Sequence, residues 1–353
     1  MQFIGTSKED YLAMLIFNAS SLPENVEKIP EMFNEIVYSS KYDSKLIKQT
    51  LAQMINSQRM GIIGNGMGVA MASASSEHDA VSSITSNISG YNKYVALNAI
   101  MDNFNIQDLK SHFKAIIEKV FAKNRAMLTI TSSENNIETT KEALKSIKLK
   151  KKYEANNLER GQDGTSKKAL VIPAQISYNA IAANLGDFGM EYTGTAPLVS
   201  HILRYGYLWD EVRVKGGAYG AAIQITRTGT VSLGSYRDPN VVNTYSNFKA
   251  IGEYLDEFAP TKAEFTNYII GALGGFDKPV SVRIQASTAD LNYLTGLTKK
   301  ERISRKKELV RAKIEDVKGY SKFFKEFASK SSEYTVGCKA KIDEYPFDEI
   351  KSF

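Results

Sequence analysis

Residues 203–225 read LRYGYLWDEVRVKGGAYGAAIQI. A helical pattern through Leu198, Ile202 and Leu203 runs into this stretch, and two β-rich runs, 218–226 and 230–235, leave it. Thr228 and Gly229 between those runs predict a hairpin. A helix, a glycine pair and a hairpin in direct succession read as α+β. The break is Gly216-Gly217, where adjacent glycines let the backbone turn tightly and approach another chain closely. Arg213 stands before the break and Tyr219 after it. Folding the break back brings a guanidinium and a phenol to the same side, a donor pair suited to a peptide carbonyl or its developing oxyanion. On residue types alone, an Arg and a Tyr beside a Gly-Gly turn suit a structural role equally well.

Working outward, 169–172 predicts a strand ahead of this helix. The pattern turns helical again after Pro239, and 333–338 reads as a closing strand. The string SYRDPN at 235–240 reads as a strand end followed by an Asp or Asn cap with Pro in the first helical turn, with Arg237 as a candidate substrate contact. An earlier stretch is punctuated in the same way. The run YLAMLIFNAS at 11–20 reads as a buried strand, and Ser21 and Pro23 then open a helix with Val26, Ile29, Met32, Phe33, Ile36 and Val37 on one face. Lys45 opens another helix 22 residues after Pro23, as Lys262 does 23 residues after Pro239. Helices are expected over 92–101 and 107–121, a closing strand over 127–131 and a short helix near 137–147.

This parallel predicts one architecture used twice: two related α+β units, each an antiparallel-rich sheet packed with helices. Only 22 residues precede Pro23, whereas 168–238 precede Pro239 within its own unit. The first unit is therefore expected to be truncated at its N-terminal side, and the chain to be a piece of something longer. The expected division is a first unit at 1–147, a linker at 148–168 and a second unit at 169–353. The linker, KLKKKYEANNLERGQDGTSKK, is too polar to join a core.

The 353 residues are 43% hydrophobic and 24% charged, the balance of a soluble globular protein. The single cysteine, Cys338, excludes a disulfide framework and reads as a core thiol. No apolar run reaches membrane-spanning length, and Lys8, Glu9 and Asp10 sit where a signal peptide would have its apolar core. The net charge of +6 is spread along the chain, so neither nucleic acid nor membrane is expected as a partner. Histidine is scarce: His78, His112 and His201 stand in HDAVS, HFKAI and HILRY. None has a second histidine four residues away, as an H-x-x-E-H zinc motif requires. Glu77, His78 and Asp79 are adjacent, and on a helix they point in different directions. No metal ligand is expected in this chain. The glycine-rich GNGMG at 64–68 lacks the setting of a dinucleotide site or a phosphate loop and is expected to interrupt a long helix. The run KKERISRKK at 299–307 reads as a solvated loop or helix end.

The string LWDEVRVKGGAYG, followed by SYRDPN, closely resembles the C-terminal half of the presequence protease branch of the pitrilysin/insulinase-like zinc peptidases. Residues 46–79 resemble the matching part of that half. The resemblance implies four related α+β domains in the whole enzyme, arranged as two halves hinged around a closed chamber. The N-terminal half would carry the H-x-x-E-H motif and the zinc. This chain would then be the C-terminal half of a zinc-dependent endopeptidase that degrades unstructured peptides. Arg213 and Tyr219 would support the substrate and the transition state, with Gly216, Gly217 and Arg237 along the substrate. Its partners would be the N-terminal half of the same protease and the peptide substrates, in the cytoplasm for a bacterial source or an organelle matrix as the alternative. The other reading is a catalytically inert peptide-binding or scaffold subunit of the same fold.

Overall fold

The computed structural model describes residues 1–152, 164–276 and 278–353. The first part pairs β1 (Gln2–Gly5) with β2 (Tyr11–Met14) in a small antiparallel sheet. It continues as α1 (Lys28–Tyr38), α2 (Ser44–Gly64), α3 (Gly66–Ser75), α4 (Ala80–Ser89), α5 (Tyr91–Asp102), α6 (Ile106–Val120) and α7 (Ile137–Leu144). Side chains of Asp43, Asp79 and Asn105 accept the first free N–H groups of α2, α4 and α6, which fixes where those helices begin.

The second part is built on β3 (Lys167–Val171), β4 (Ser177–Asn184), β5 (Gly220–Ile225), β6 (Thr230–Tyr236), β7 (Ser332–Gly337) and β8 (Glu349–Ser352). They form one sheet in the order β5-β6-β4-β7-β3-β8. The run from β5 to β7 is antiparallel, and β3 lies parallel to β7 and β8. Around it lie α8 (Ala196–Tyr205), α9 (Val242–Lys249), α10 (Ile251–Glu257), α11 (Lys262–Leu273), α12 (Val282–Leu294), α13 (Lys299–Arg311), α14 (Ile314–Lys318), α15 (Ser321–Glu326) and α16 (Lys339–Ile342). The protein is α+β with an antiparallel-rich sheet packed by helices.

Each face of the sheet has its own core. Ile181, Ala183, Val231 and Leu233 pack against a helical layer that includes Leu198, Ile202, Phe248 and Phe324. On the opposite face, Tyr178, Ala180, Ala182 and Val336 pack against Ile62 of α2 and Ala70 and Ala74 of α3. The helices of the first part thus cover the sheet of the second. Strand β4 is buried along its whole length because its alternating side chains enter both cores. Close approach is possible because α3 opens with Gly66, where a Cβ would run into the Tyr178 ring. The glycine-rich 64–68 does interrupt a long helix, at Asn65.

Several local expectations are corrected. Within 11–20 only Tyr11–Met14 forms a strand, and Leu15, Ile16 and Phe17 stay exposed. Residues 127–131 form no strand, and Met127 and Leu128 are also exposed. An apolar run becomes a buried strand only where a neighbouring strand and a covering layer exist, and among the described residues neither run has both. Pro23 opens a short 3₁₀ turn, and α1 starts only at Lys28. Of the expected linker, 153–163 lies outside the described residues. At its ends Lys150 bridges to Ala122, while Lys167 and Lys168 already belong to β3. The basic run at 299–307 lies within α13.

Candidate functional site

Beyond α8 the chain winds through a π-helical turn, Trp209–Lys215. Such wide turns recur at functional sites because they displace side chains from ordinary helical register. Here the Arg213 guanidinium lies 3.9 Å from the centre of the Trp209 ring, a cation–π contact on a partly exposed surface. The turn ends at Gly216, and Gly217 takes φ +79°, a conformation that a side chain would strain. Tyr219 emerges from this break 71% exposed.

The chain then enters β5 through a bulge. Gly220 is the register partner of Tyr236, yet the N–H of Tyr219 also donates to the Tyr236 carbonyl at 3.0 Å. Two residues of β5 therefore oppose one of β6, which twists the strand and re-aims Tyr219. Just past that point Arg237 holds φ +48°, the one non-glycine residue with positive φ among the described residues. The guanidinium of Arg237 bonds the phenols of Tyr236 and Tyr178, which hold it further toward its charged form.

A buried network fixes this geometry. The Asp238 carboxylate accepts from Thr244 Oγ1 at 2.6 Å, from the Asn240 N–H at 2.8 Å and from Asn179 Nδ2 at 3.1 Å. Burial pushes the Asp238 carboxyl up, although those bonds and one from Ser235 pull the other way. Asn240 in turn donates its side-chain N–H to the Gly216 carbonyl at 2.6 Å. The SYRDPN string is therefore a clamp on the glycine break. It is not a helix cap, because α9 begins only at Val242 and Pro239 precedes its first turn. This corrects the cap reading. The Asp-Pro-Asn triplet suggests a turn, but its grip on Gly216 crosses 24 residues of chain and has no local signal.

The structure gathers the candidate residues in two clusters. Tyr219 faces Tyr236, with ring centres 6.0 Å apart, and Tyr236 faces Tyr178 at 5.4 Å, with Arg237 alongside. Arg213 instead rests on Trp209, and among the described residues no hydrogen bond joins it to Tyr219. Both side chains reach solvent, so a ligand backbone between them could engage both. Trp209, Tyr236, Tyr178, Asp238 and Asn240 are the members that the sequence reading did not assign to the site.

The histidines lie elsewhere and do not suit zinc. His78 is buried with Nε2 3.1 Å from Ser332 Oγ. His112 Nδ1 lies 2.8 Å from its own helix's Asp108 carbonyl. His201 packs on Tyr205, and burial pulls its pKa down. Among the described residues no three His, Cys, Asp or Glu side chains form a group that could hold a metal ion. Nor, among them, is any helix long and apolar enough to cross a membrane.

Comparison with known proteins adds a frame. Residues 167–338 match the family described as PreP C-terminal domain, and residues 3–100 match the associated domain of the M16 peptidases, subfamily C. The chain is 28% identical over 353 residues to Protein HypA of Clostridium perfringens, covering 97% of this chain and 36% of that protein. It is 23% identical over 343 residues to presequence protease 1, chloroplastic/mitochondrial, of Arabidopsis thaliana, covering 95% of this chain and 32% of that one. It thus spans about a third of the length of these relatives. The fold is similar to crystalline pitrilysin, with TM-score 0.61 and 12% identity over 92% of this chain and 36% of that one.

Proposed function

Belonging over residues 3–100 and 167–338 to the C-terminal half of the M16 peptidases, this chain, we propose, supplies a chamber wall and a two-residue substrate clamp to a zinc endopeptidase. The observation that carries the reading is the paired display of Arg213 and Tyr219. A π-helical turn, a glycine break clamped by Asn240 and a bulge hold them on either side of one exposed strand entrance. In the assembled enzyme Arg213 binds a carbonyl of an extended peptide. The Tyr219 phenol donates to the oxygen on which negative charge develops as the bond is cleaved. Arg237 and the glycines shape the floor beneath the peptide. Zinc, supplied by the N-terminal half, polarises the reacting groups there; no residue of this chain takes part in holding it.

The experiment joins the chain to an N-terminal half carrying H-x-x-E-H and follows hydrolysis of an unstructured peptide. Tyr219→Phe is expected to lower kcat about ten- to a thousandfold, the range for losing one oxyanion donor. An unchanged kcat places the phenol away from the reacting bond. Zinc-dependent hydrolysis by the pure chain would overturn the division of labour. Peptide binding without turnover in the joined protein would favour the scaffold reading.

A further inference from the structure

The two edges of the large sheet differ in kind. Strand β8 closes one edge with Glu-Ile-Lys-Ser, and its Glu349 and Lys351 form an ion pair. Charges of this sort block pairing with a foreign strand. Strand β5 closes the other edge with Gly-Ala-Ala-Ile-Gln-Ile, which has no charge and no proline. The hydrogen-bond alternation fixes which of its main-chain groups face outward. Thr226 donates to the Thr230 carbonyl, so the pairs bonded to β6 are 224 with 232, 222 with 234 and 220 with 236. The N–H and C=O groups of Ala221, Ile223 and Ile225 therefore point away from β6. Among the described residues no strand pairs with that side. Their side chains are tucked into the helical core, so the edge offers backbone and little else.

We propose that the outer edge of β5 is a main-chain docking strand for an extended stretch of substrate polypeptide. The inference rests on the peptidase reading above and adds the means of capture. Two features favour an unfolded peptide over a second copy of this chain. Backbone pairing with no side-chain pocket is indifferent to sequence, as capture of varied unstructured peptides requires. Tyr219 and the Arg213 guanidinium also stand at the β5 entrance, where they meet the carbonyls of a strand lying beside it. A peptide paired along Ala221, Ile223 and Ile225 would thus feed its backbone toward both clamp residues.

The test measures fluorescence anisotropy of a fluorescein-labelled peptide, unstructured in buffer, and of its backbone-N-methylated twin on the full chain. The twin keeps every side chain but lacks the N–H donors. Roughly tenfold or greater weakening is expected from losing two or three hydrogen bonds. Ala221→Pro removes an outward N–H while sparing the ladder, and should weaken the unmodified peptide to a similar degree with an unchanged circular dichroism spectrum. Equal affinity for the two peptides overturns the inference whether or not the variant folds. A peptide-free dimer in light scattering that Ala221→Pro dissolves also overturns it, since a second copy then owns the edge. If neither peptide binds, the docking strand is lost. The Tyr219→Phe kinetics then decide separately whether the peptidase reading stands.

Discussion

Glu77 and Lys168 form a 2.6 Å ion pair across 91 residues of chain, joining the segment after α3 to the start of β3. Ser166 and Ser332 donate to the same carboxylate at 2.6 and 2.8 Å. Burial alone would push the Glu77 carboxyl up. The bonds from Lys168, Ser166 and Ser332 outweigh it and hold the carboxyl below the usual glutamate range.

The consequence is a specific acid sensitivity. A carboxyl depressed in the folded state contributes stability above its unfolded pKa and loses it as pH falls through the folded value. For Glu77 that window lies below its ordinary 4.5. Asp238, with its pKa raised, acts in the opposite sense, so the contrast is made between wild type and Glu77→Gln. At neutral pH Glu77→Gln should cost about 1 kcal/mol, and the gap should close as pH drops below that window. Urea titrations from pH 7 to pH 3 measure it. A gap that stays constant would show that the ion pair contributes nothing pH-linked.

The clamp on the glycine break makes a second expectation. Asn240→Ala removes the donor to the Gly216 carbonyl and frees the break to wander. Because the site is partly solvated, stability should fall by only about 1 kcal/mol. Turnover by the joined protease should fall further, by about tenfold or more, since misplacing a catalytic group is costly. Equal losses in stability and in kcat would reduce Asn240 to an ordinary structural residue.

The third expectation concerns a shortened chain. A protein starting at Lys167 keeps the whole sheet but loses Ile62, Ala70 and Ala74, which cover Tyr178, Ala180, Ala182 and Val336. Each large apolar side chain so exposed forfeits roughly 1.5–3 kcal/mol. Such a fragment should bind a hydrophobic dye and aggregate, while the full chain remains monodisperse. A fragment with native circular dichroism and cooperative melting would show that the covering helices are dispensable.

Local chemistry makes part of this molecule readable in advance. The β5–β6 hairpin is visible because alternation and a Thr-Gly turn act within a few residues. The helix openings at Lys45 and Lys262 are visible for the same reason: α2 and α11 start at Ser44 and Lys262. Strand β4 is invisible, since SYNAIAAN is small and polar on both sides and becomes a strand only through its neighbours and two cores. Arg213 and Tyr219 can be named as a pair from their spacing around the glycines. The bulge, the π-helical turn and the Asp238 network that aim them cannot. Those depend on contacts between residues tens of positions apart, where no periodicity reports. The exposed runs at 15–17 and 127–128 show the converse, for apolar content alone does not create a strand.

The break between α2 and α3 has one more consequence. The Tyr178 phenol donates to the Ile63 and Gly64 carbonyls, and Tyr236 also reaches Gly64. Both phenols hold Arg237, and the Tyr236 carbonyl is the acceptor that makes the bulge beneath Tyr219. A pull that lifts α2 from the sheet is thus delivered to two phenols before it reaches any strand. The helix break is a lever with its fulcrum at Gly66, and its short arm ends under Tyr219.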